Sequence, residues 1–110
     1  MASKAKPAAQ KRAAHVRNAD KTKPFTKDWE RLSRSGRYDM NRLKAVMTLL
    51  IANDGPLPPE YKDHPLEGKW IEHRECHVAG DFLLIYKLQD EGAKESVVFV
   101  RVGTHAELFD

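Results

Sequence analysis

The run Phe82–Tyr86, FLLIY, places five large apolar side chains in succession. Successive side chains of an extended chain point to opposite faces, so such a run is a strand covered on both sides. Asp81–Leu88, DFLLIYKL, therefore reads as the central strand of a sheet. Ahead of it, Lys69–Val78 alternates. Trp70, Arg74, Cys76 and Val78 fall on one face, and Ile71, His73, Glu75 and His77 on the other. Ala79-Gly80-Asp81 is a short turn between the two strands. Gln89–Lys94, with Gly92, is a polar turn, and Ser96–Val102, SVVFVRV, is β-branched and strand-like. Three strands joined by short turns form an antiparallel meander.

The preceding segment has a different period. Phe25, Trp29 and Leu32 recur at helical spacing, with Thr26 as the expected N-cap, Asp28 and Glu30 in the first turn, and Ser35-Gly36 as the stop. Asp39 caps a second helix whose apolar stripe is Leu43, Val46, Met47, Leu50 and Ile51. Asn53-Asp54-Gly55-Pro56 ends it. Two helices with a short connection pack as a hairpin. A helix hairpin followed by a meander predicts an α+β domain, with the helices on one face of a small antiparallel sheet. The other face is free to carry a site.

The remaining N-terminal residues set the domain boundary. Residues 1–23 hold seven basic side chains against Asp20, whereas residues 24–110 hold 12 basic and 15 acidic ones. The overall charge of +3 is thus a basic arm on a mildly acidic body. Residues 1–14, rich in Ala and Lys, are expected to be a disordered arm, and residues 15–110 a single domain. Such an arm is attracted to polyanions such as RNA, or serves as a solvating tail. The polar segment 15–24 offers at most an edge strand ending at Pro24. A single cysteine permits no internal disulfide and suits a reducing compartment. No apolar run approaches the roughly 18–20 residues that span a bilayer, and no apolar signal core follows the basic start. The chain reads as cytoplasmic, with no membrane partner.

Titratable groups gather around the meander. Glu75 and His77 share a strand face, Asp81 lies across the tight turn, His64 sits in the loop feeding that strand, and His105 follows the last one. Imidazoles exchange protons near neutrality. RNA carries its own nucleophile, the 2′-hydroxyl. Its cleavage needs a base, an acid and positive charge on the phosphate, which histidines, a carboxylate and an arginine supply without metal or cofactor. Arg74 or Arg101 is the candidate phosphate ligand, and Phe109 or Phe82 the candidate base-stacking ring. Arg74 also reads as a buried ion-pair partner, and Trp70, Phe82, Phe99 and Cys76 as core. His73-x-x-Cys76-His77 invites a zinc site, but on a strand Cys76 and His77 point to opposite faces.

YKDHPLEGKW, RECHVAGDFLLIYKL and RVGTHAELF, preceded by YDMNRLKAVMTLLI, resemble the YafQ branch of the RelE-type toxins of bacterial toxin–antitoxin systems. The resemblance runs from about Phe25 to Phe109 with the motifs in order. It implies a compact RelE-like, microbial-RNase-like fold and a ribosome-dependent endoribonuclease that cuts mRNA and stops translation. It also implies a cognate antitoxin that neutralises the toxin, in a complex that binds operator DNA through the antitoxin. Carried onto this chain, it marks His64, His77, Asp81 and His105 as catalytic and Phe109 as substrate-positioning. Glu75 stands where some relatives carry aspartate, and Phe82 where some carry tryptophan. The family's first strand falls around Val16–Thr22. A toxin-fold module that binds antitoxin or ribosomal RNA without cutting, and a ribosome-independent ribonuclease, are the competing readings.

Overall fold

A computed structural model describes residues 16–91 and 94–110, so the arm expected over 1–14 and the tip of the expected Gly92 turn lie outside the described residues. The elements run β1 (Asn18–Lys21), α1 (Lys23–Ser35), α2 (Met40–Ala52), β2 (His64–Pro65), β3 (Arg74–Ala79), β4 (Phe82–Glu91), β5 (Lys94–Gly103) and α3 (His105–Phe109). Single 3-10 turns at Pro59–Tyr61 and Gly68–Trp70 flank β2. The strands form one sheet in the order β1-β5-β4-β3-β2. The expected meander is present, β3 to β4 to β5, all antiparallel. The sheet as a whole is mixed, because β1 pairs with β5 in parallel.

Both long helices lie on one face. Phe25 and Leu32 of α1, with Leu43, Val46 and Leu50 of α2, pack against Cys76, Val78, Leu84, Tyr86, Val97, Phe99 and Val102. The α2 stripe matches its sequence pattern, with Met47 and Ile51 packed at its margin. Asp39 accepts the Arg42 N–H at the start of α2, and Arg17 donates from its backbone and guanidinium to the carbonyls of Ile51 and Leu50 at the end. These bonds satisfy groups that a helix end leaves open. The opposite sheet face is covered lightly. Leu83 and Ile85 pack there under Leu108 of α3, with Leu66, Trp70, Val100 and Phe109 around them.

The polar turn expected over Gln89–Lys94 is largely strand, because β4 runs on to Glu91 and β5 starts at Lys94. Three further details depart from the sequence reading. First, α1 begins one turn early. Its cap is Thr22, whose hydroxyl accepts the Phe25 N–H, and Pro24 occupies the first turn, where its missing N–H costs nothing. Second, β3 begins at Arg74 instead of Lys69. The Gly68–Trp70 turn, entered through Gly68 at φ +65°, breaks the alternation and turns Trp70 onto the lightly covered face. Third, because α1 starts at Lys23, Asp28 and Glu30 fall beyond the first turn, and Asp28 is buried.

Asp28 has a structural task. β1 pairs only as far along β5 as Phe99, so the outer edge of β5 is open beyond it. A register shift between Ile85 and Tyr86 leaves Val100 as the extra residue of a bulge. There the Thr22 hydroxyl donates to the Val100 carbonyl (2.7 Å), and Asp28 Oδ2 accepts the Val102 N–H (3.1 Å). The same carboxylate receives Arg101 Nε (2.6 Å) and Nη2 (3.1 Å), and Arg31 (3.3 Å). Removing one partner of a buried ion pair leaves the other uncompensated. We therefore expect Asp28→Ala to cost about 3–5 kcal/mol of unfolding free energy, with Asp28→Asn costing less, in urea titrations followed by circular dichroism. A loss below about 1 kcal/mol for Asp28→Ala would show that the edge of β5 does not depend on it.

Candidate functional site

The register of the sheet collects most of the candidate residues on its lightly covered face. One row reads His64 (β2), Glu75 (β3), Ile85 (β4) and Arg101 (β5), and the next reads His77, Leu83 and Gly103. His64 and Glu75 are therefore cross-strand neighbours, and His77 follows Glu75 by the strand period.

Glu75 is buried, and two imidazoles converge on one of its oxygens. His64 Nε2 lies 3.4 Å from Oε1 and His77 Nε2 lies 3.7 Å from it, with the ring centroids 6.2 Å apart. Each ring is also held from behind. His64 Nδ1 is 2.7 Å from the Lys62 carbonyl, and His77 Nδ1 is 3.2 Å from the Gly80 carbonyl. A carbonyl only accepts, so each Nδ1 is a donor and carries hydrogen. The nitrogen that gains or loses a proton is then Nε2 in both rings. Both Nε2 atoms face one carboxylate, and both rings remain partly open to solvent. The turns that aim the rings use left-handed backbone. Lys62 sits at φ +49° and Gly80 at φ +50°, and the Gly80 position favours a residue without Cβ.

The third histidine is placed by capping. Thr104 and Glu107 form a capping box at the start of α3, the signature T-x-x-E. Asp81 Oδ1 accepts the His105 backbone N–H (2.9 Å), which ties the β3–β4 turn to α3. Its bond is to the backbone of His105, so it orients that residue through the main chain. Arg31 of α1 reaches Glu107 (2.6 Å) and holds α3 from the helix layer. The His105 ring then lies 4.9 Å from that of Phe109.

The two arginines have other partners. Arg101 binds Asp28 through Nε and Nη2, and this contact holds its guanidinium above its ordinary pKa. Arg74 alternates with Glu75, so it leaves the opposite face of β3, where it binds Asp63 (3.1 Å). The Tyr86 hydroxyl donates to the same carboxylate. That cluster clamps the residue immediately before His64, which the sequence reading did not anticipate. Phe82 is buried against Tyr38 and is not available to a base. His73, Cys76 and His77 are not brought together, because Cys76 is buried under the helices while His77 faces the other way. Among the described residues, no group of three or more His, Cys, Asp or Glu is arranged to hold a metal ion.

Burial, with Asp63 and Glu75 nearby, pushes the Cys76 thiol up to about 12 from an ordinary value of 9.0. Burial and the Asp63 contact likewise raise the Tyr86 hydroxyl. In the unfolded chain both groups release their protons at lower pH. The unfolded state then binds fewer protons, and stability falls as pH rises from about 9 toward 12. Urea midpoints taken between pH 8 and 10 should decline with pH, and decline less steeply in Cys76→Ala. Equal slopes in the two proteins would count against a buried, protonated thiol.

The same fold recurs in known proteins. Residues 17–110 match the family described as "Bacterial toxin of type II toxin-antitoxin system, YafQ". The mRNA interferase toxin YafQ of Escherichia coli K12 is 51% identical over 85 residues, covering 77% of this chain and 87% of that one. The structure of the E. coli DinJ–YafQ toxin–antitoxin complex contains a chain that superposes with a TM-score of 0.75 at 46% identity, covering 86% of this chain and 99% of that one. A metal-bound toxin from Helicobacter pylori superposes at 0.73 with 39% identity, covering 84% and 98%. The α+β fold, with helices on one face of a five-stranded sheet, is thus that of a type II toxin. The chain belongs to the YafQ toxin family.

Proposed function

We propose that this protein is an mRNA-cleaving toxin that acts on translating ribosomes. The observation that carries the reading is the pair of imidazoles, each with Nδ1 fixed on a carbonyl and Nε2 turned toward the buried carboxylate of Glu75. One Nε2 takes the proton of a 2′-hydroxyl, and the 2′-oxygen attacks phosphorus. The P–O5′ bond breaks, and the other Nε2 returns a proton to the leaving oxygen. Glu75 balances the charge as the protons move. His105, anchored by Asp81, contacts the scissile phosphate or shares the acid role, and Phe109 stacks on a neighbouring base. Arg101 reaches a phosphate only with donors that Asp28 leaves free, while Arg74, on the other face, acts by holding Asp63 beside His64.

Dependence on the ribosome fits the charge. Residues 24–110 are net acidic, which gives little electrostatic grip on free RNA. The family implies a cognate antitoxin as partner, and operator DNA reached through that antitoxin. A fold that binds antitoxin or ribosomal RNA without cutting remains the competing reading. Induced expression separates them: an active toxin arrests growth unless its antitoxin is co-expressed.

We expect His64→Ala, His77→Ala and His105→Ala each to slow cleavage by about 10²–10⁴-fold on translating ribosomes, read by mapping mRNA 5′ ends. Asp81→Ala should act more weakly, since it loosens His105 without removing an imidazole. Undiminished cleavage by all four variants would remove this face from the mechanism. Naked mRNA should stay intact where ribosome-bound mRNA is cut, and a chelator should leave the rate unchanged. A rate abolished by chelator and restored by a divalent ion would replace the metal-free scheme.

A further inference from the structure

Beside the histidine pair lies a second cluster of rings, of which the reaction uses only Phe109, as a stacking ring, and leaves Trp70 and His73 without a role. The Gly68–Trp70 turn brings Trp70 onto the site face, where it packs, partly buried, against the cluster of Leu83, Ile85 and Leu108. Phe109 meets it at 6.2 Å and 75°, and His73 meets it edge-on at 5.2 Å and 84°. Phe109 and His73 are thus each set roughly at right angles to Trp70 and do not stack on it. All three are only partly buried. Between them is an open depression of about 370 Å³, rimmed by Lys69 and Asp110, a volume within the usual range for small-ligand clefts. His73 Nδ1 lies 3.1 Å from the Ile71 carbonyl, which makes it a donor and leaves Nε2 of the neutral ring free to accept.

These are the parts of a nucleobase site: an aromatic wall with an unstacked face, a hydrogen-bond acceptor at its edge, and a lysine on the rim for a phosphate. Edge-to-face rings also occur in plain cores. Here, however, the cluster borders His105 through Phe109 and is open where a core would be closed. We propose that Trp70, His73 and Phe109 hold an unpaired base of RNA, displaced along the strand from the nucleotide at the histidine pair. Its exocyclic amine meets His73 Nε2. The proposal rests on the reading of this face as an RNA site, and it adds a specificity-determining position to it.

The chain has two tryptophans, Trp29 and Trp70, so Trp29→Phe leaves Trp70 as the only indole emitter. Titration of that protein with a single-stranded 2′-O-methyl adenosine hexamer, which lacks the 2′ nucleophile, should quench Trp70 emission saturably. His73→Ala in the same background should weaken the apparent affinity about tenfold. Unquenched Trp70, or quenching indifferent to His73→Ala, overturns the site. Cleavage by the wild-type chain on ribosomes is scored separately. Quenching by a protein that leaves mRNA intact would sink the cleavage reading and keep the base site. Cleavage without quenching would do the reverse. Mapping cut sites for His73→Ala then separates the sources of the base. A changed preference beside the cut assigns it to mRNA, and an unchanged one to ribosomal RNA.

Discussion

The buried carboxylate of Asp28 is the interaction on which the geometry of the site side depends. A sheet whose outermost strand is only four residues long leaves most of its neighbour's edge without partners. Backbone groups on such an edge must be satisfied or left to solvent. Along β5 beyond Phe99 the partners are side chains of the layer above, Thr22 on the Val100 carbonyl and Asp28 on the Val102 N–H. The bulge at Val100 re-aims the chain just before Gly103, and α3 follows at once. Arg31 bridges Asp28 to Glu107, so one charged chain runs from α1 through the edge of β5 to the capping box of α3. His105 and Phe109 are therefore placed by contacts made in the helix layer, on the other side of the sheet.

Glu75 shows the same logic at the opposite edge. A buried carboxylate needs partners, and here they are the imidazoles of His64 and His77. β2 is only two residues long and contributes little packing of its own. What holds it is the pairing of His64 and Pro65 with Glu75 and Arg74, together with the Asp63–Arg74–Tyr86 cluster beneath. Arg74 and Glu75 are adjacent in sequence and so point to opposite faces. One grips the residue before His64 from below and the other meets His64 from above. The clamp locates an imidazole whose outer half stays in solvent, which is what a group that exchanges protons with a substrate requires.

Much of this was legible in the residues. The apolar run at Phe82–Tyr86 could only be a central strand, the α2 stripe could only be a helix on a core, and the tight Ala79-Gly80-Asp81 turn forced an antiparallel pair. That placed Glu75 beside His77 before any coordinates, whereas Asp81, expected near His77, binds the His105 backbone N–H. β1 was harder, because its side chains are all exposed and its pairing is carried by backbone groups that leave no mark in the side-chain pattern. Trp70 was misplaced because alternation was extended through Gly68, whose positive φ admits a 3-10 turn that a count of apolar residues does not reveal. Arg101 and Asp28 are 73 residues apart, and no local pattern links an arginine in a strand to a carboxylate in a helix. The signals that did exist were local ones. Pro24 two residues after Thr22 marks the true helix start, and T-x-x-E marks α3.

The two faces of the sheet divide the work unequally, and that inequality explains why the site lies where it does. Two thirteen-residue helices bury the Cys76 and Val78 side, whereas a five-residue helix and one 3-10 turn cover the Leu83 and Ile85 side. β4 needs cover on both faces, but the second face needs only enough to exclude water from two side chains. Leu108 provides it together with Trp70 and Phe109, which stay partly exposed. Rings that close a small core from one side therefore present a face to solvent on the other. The strand rows beside them carry His64, Glu75 and His77 instead of further apolar cover. The thin cover of the second face is thus the condition for a site, because thicker packing there would bury the imidazoles and the aromatic surfaces together.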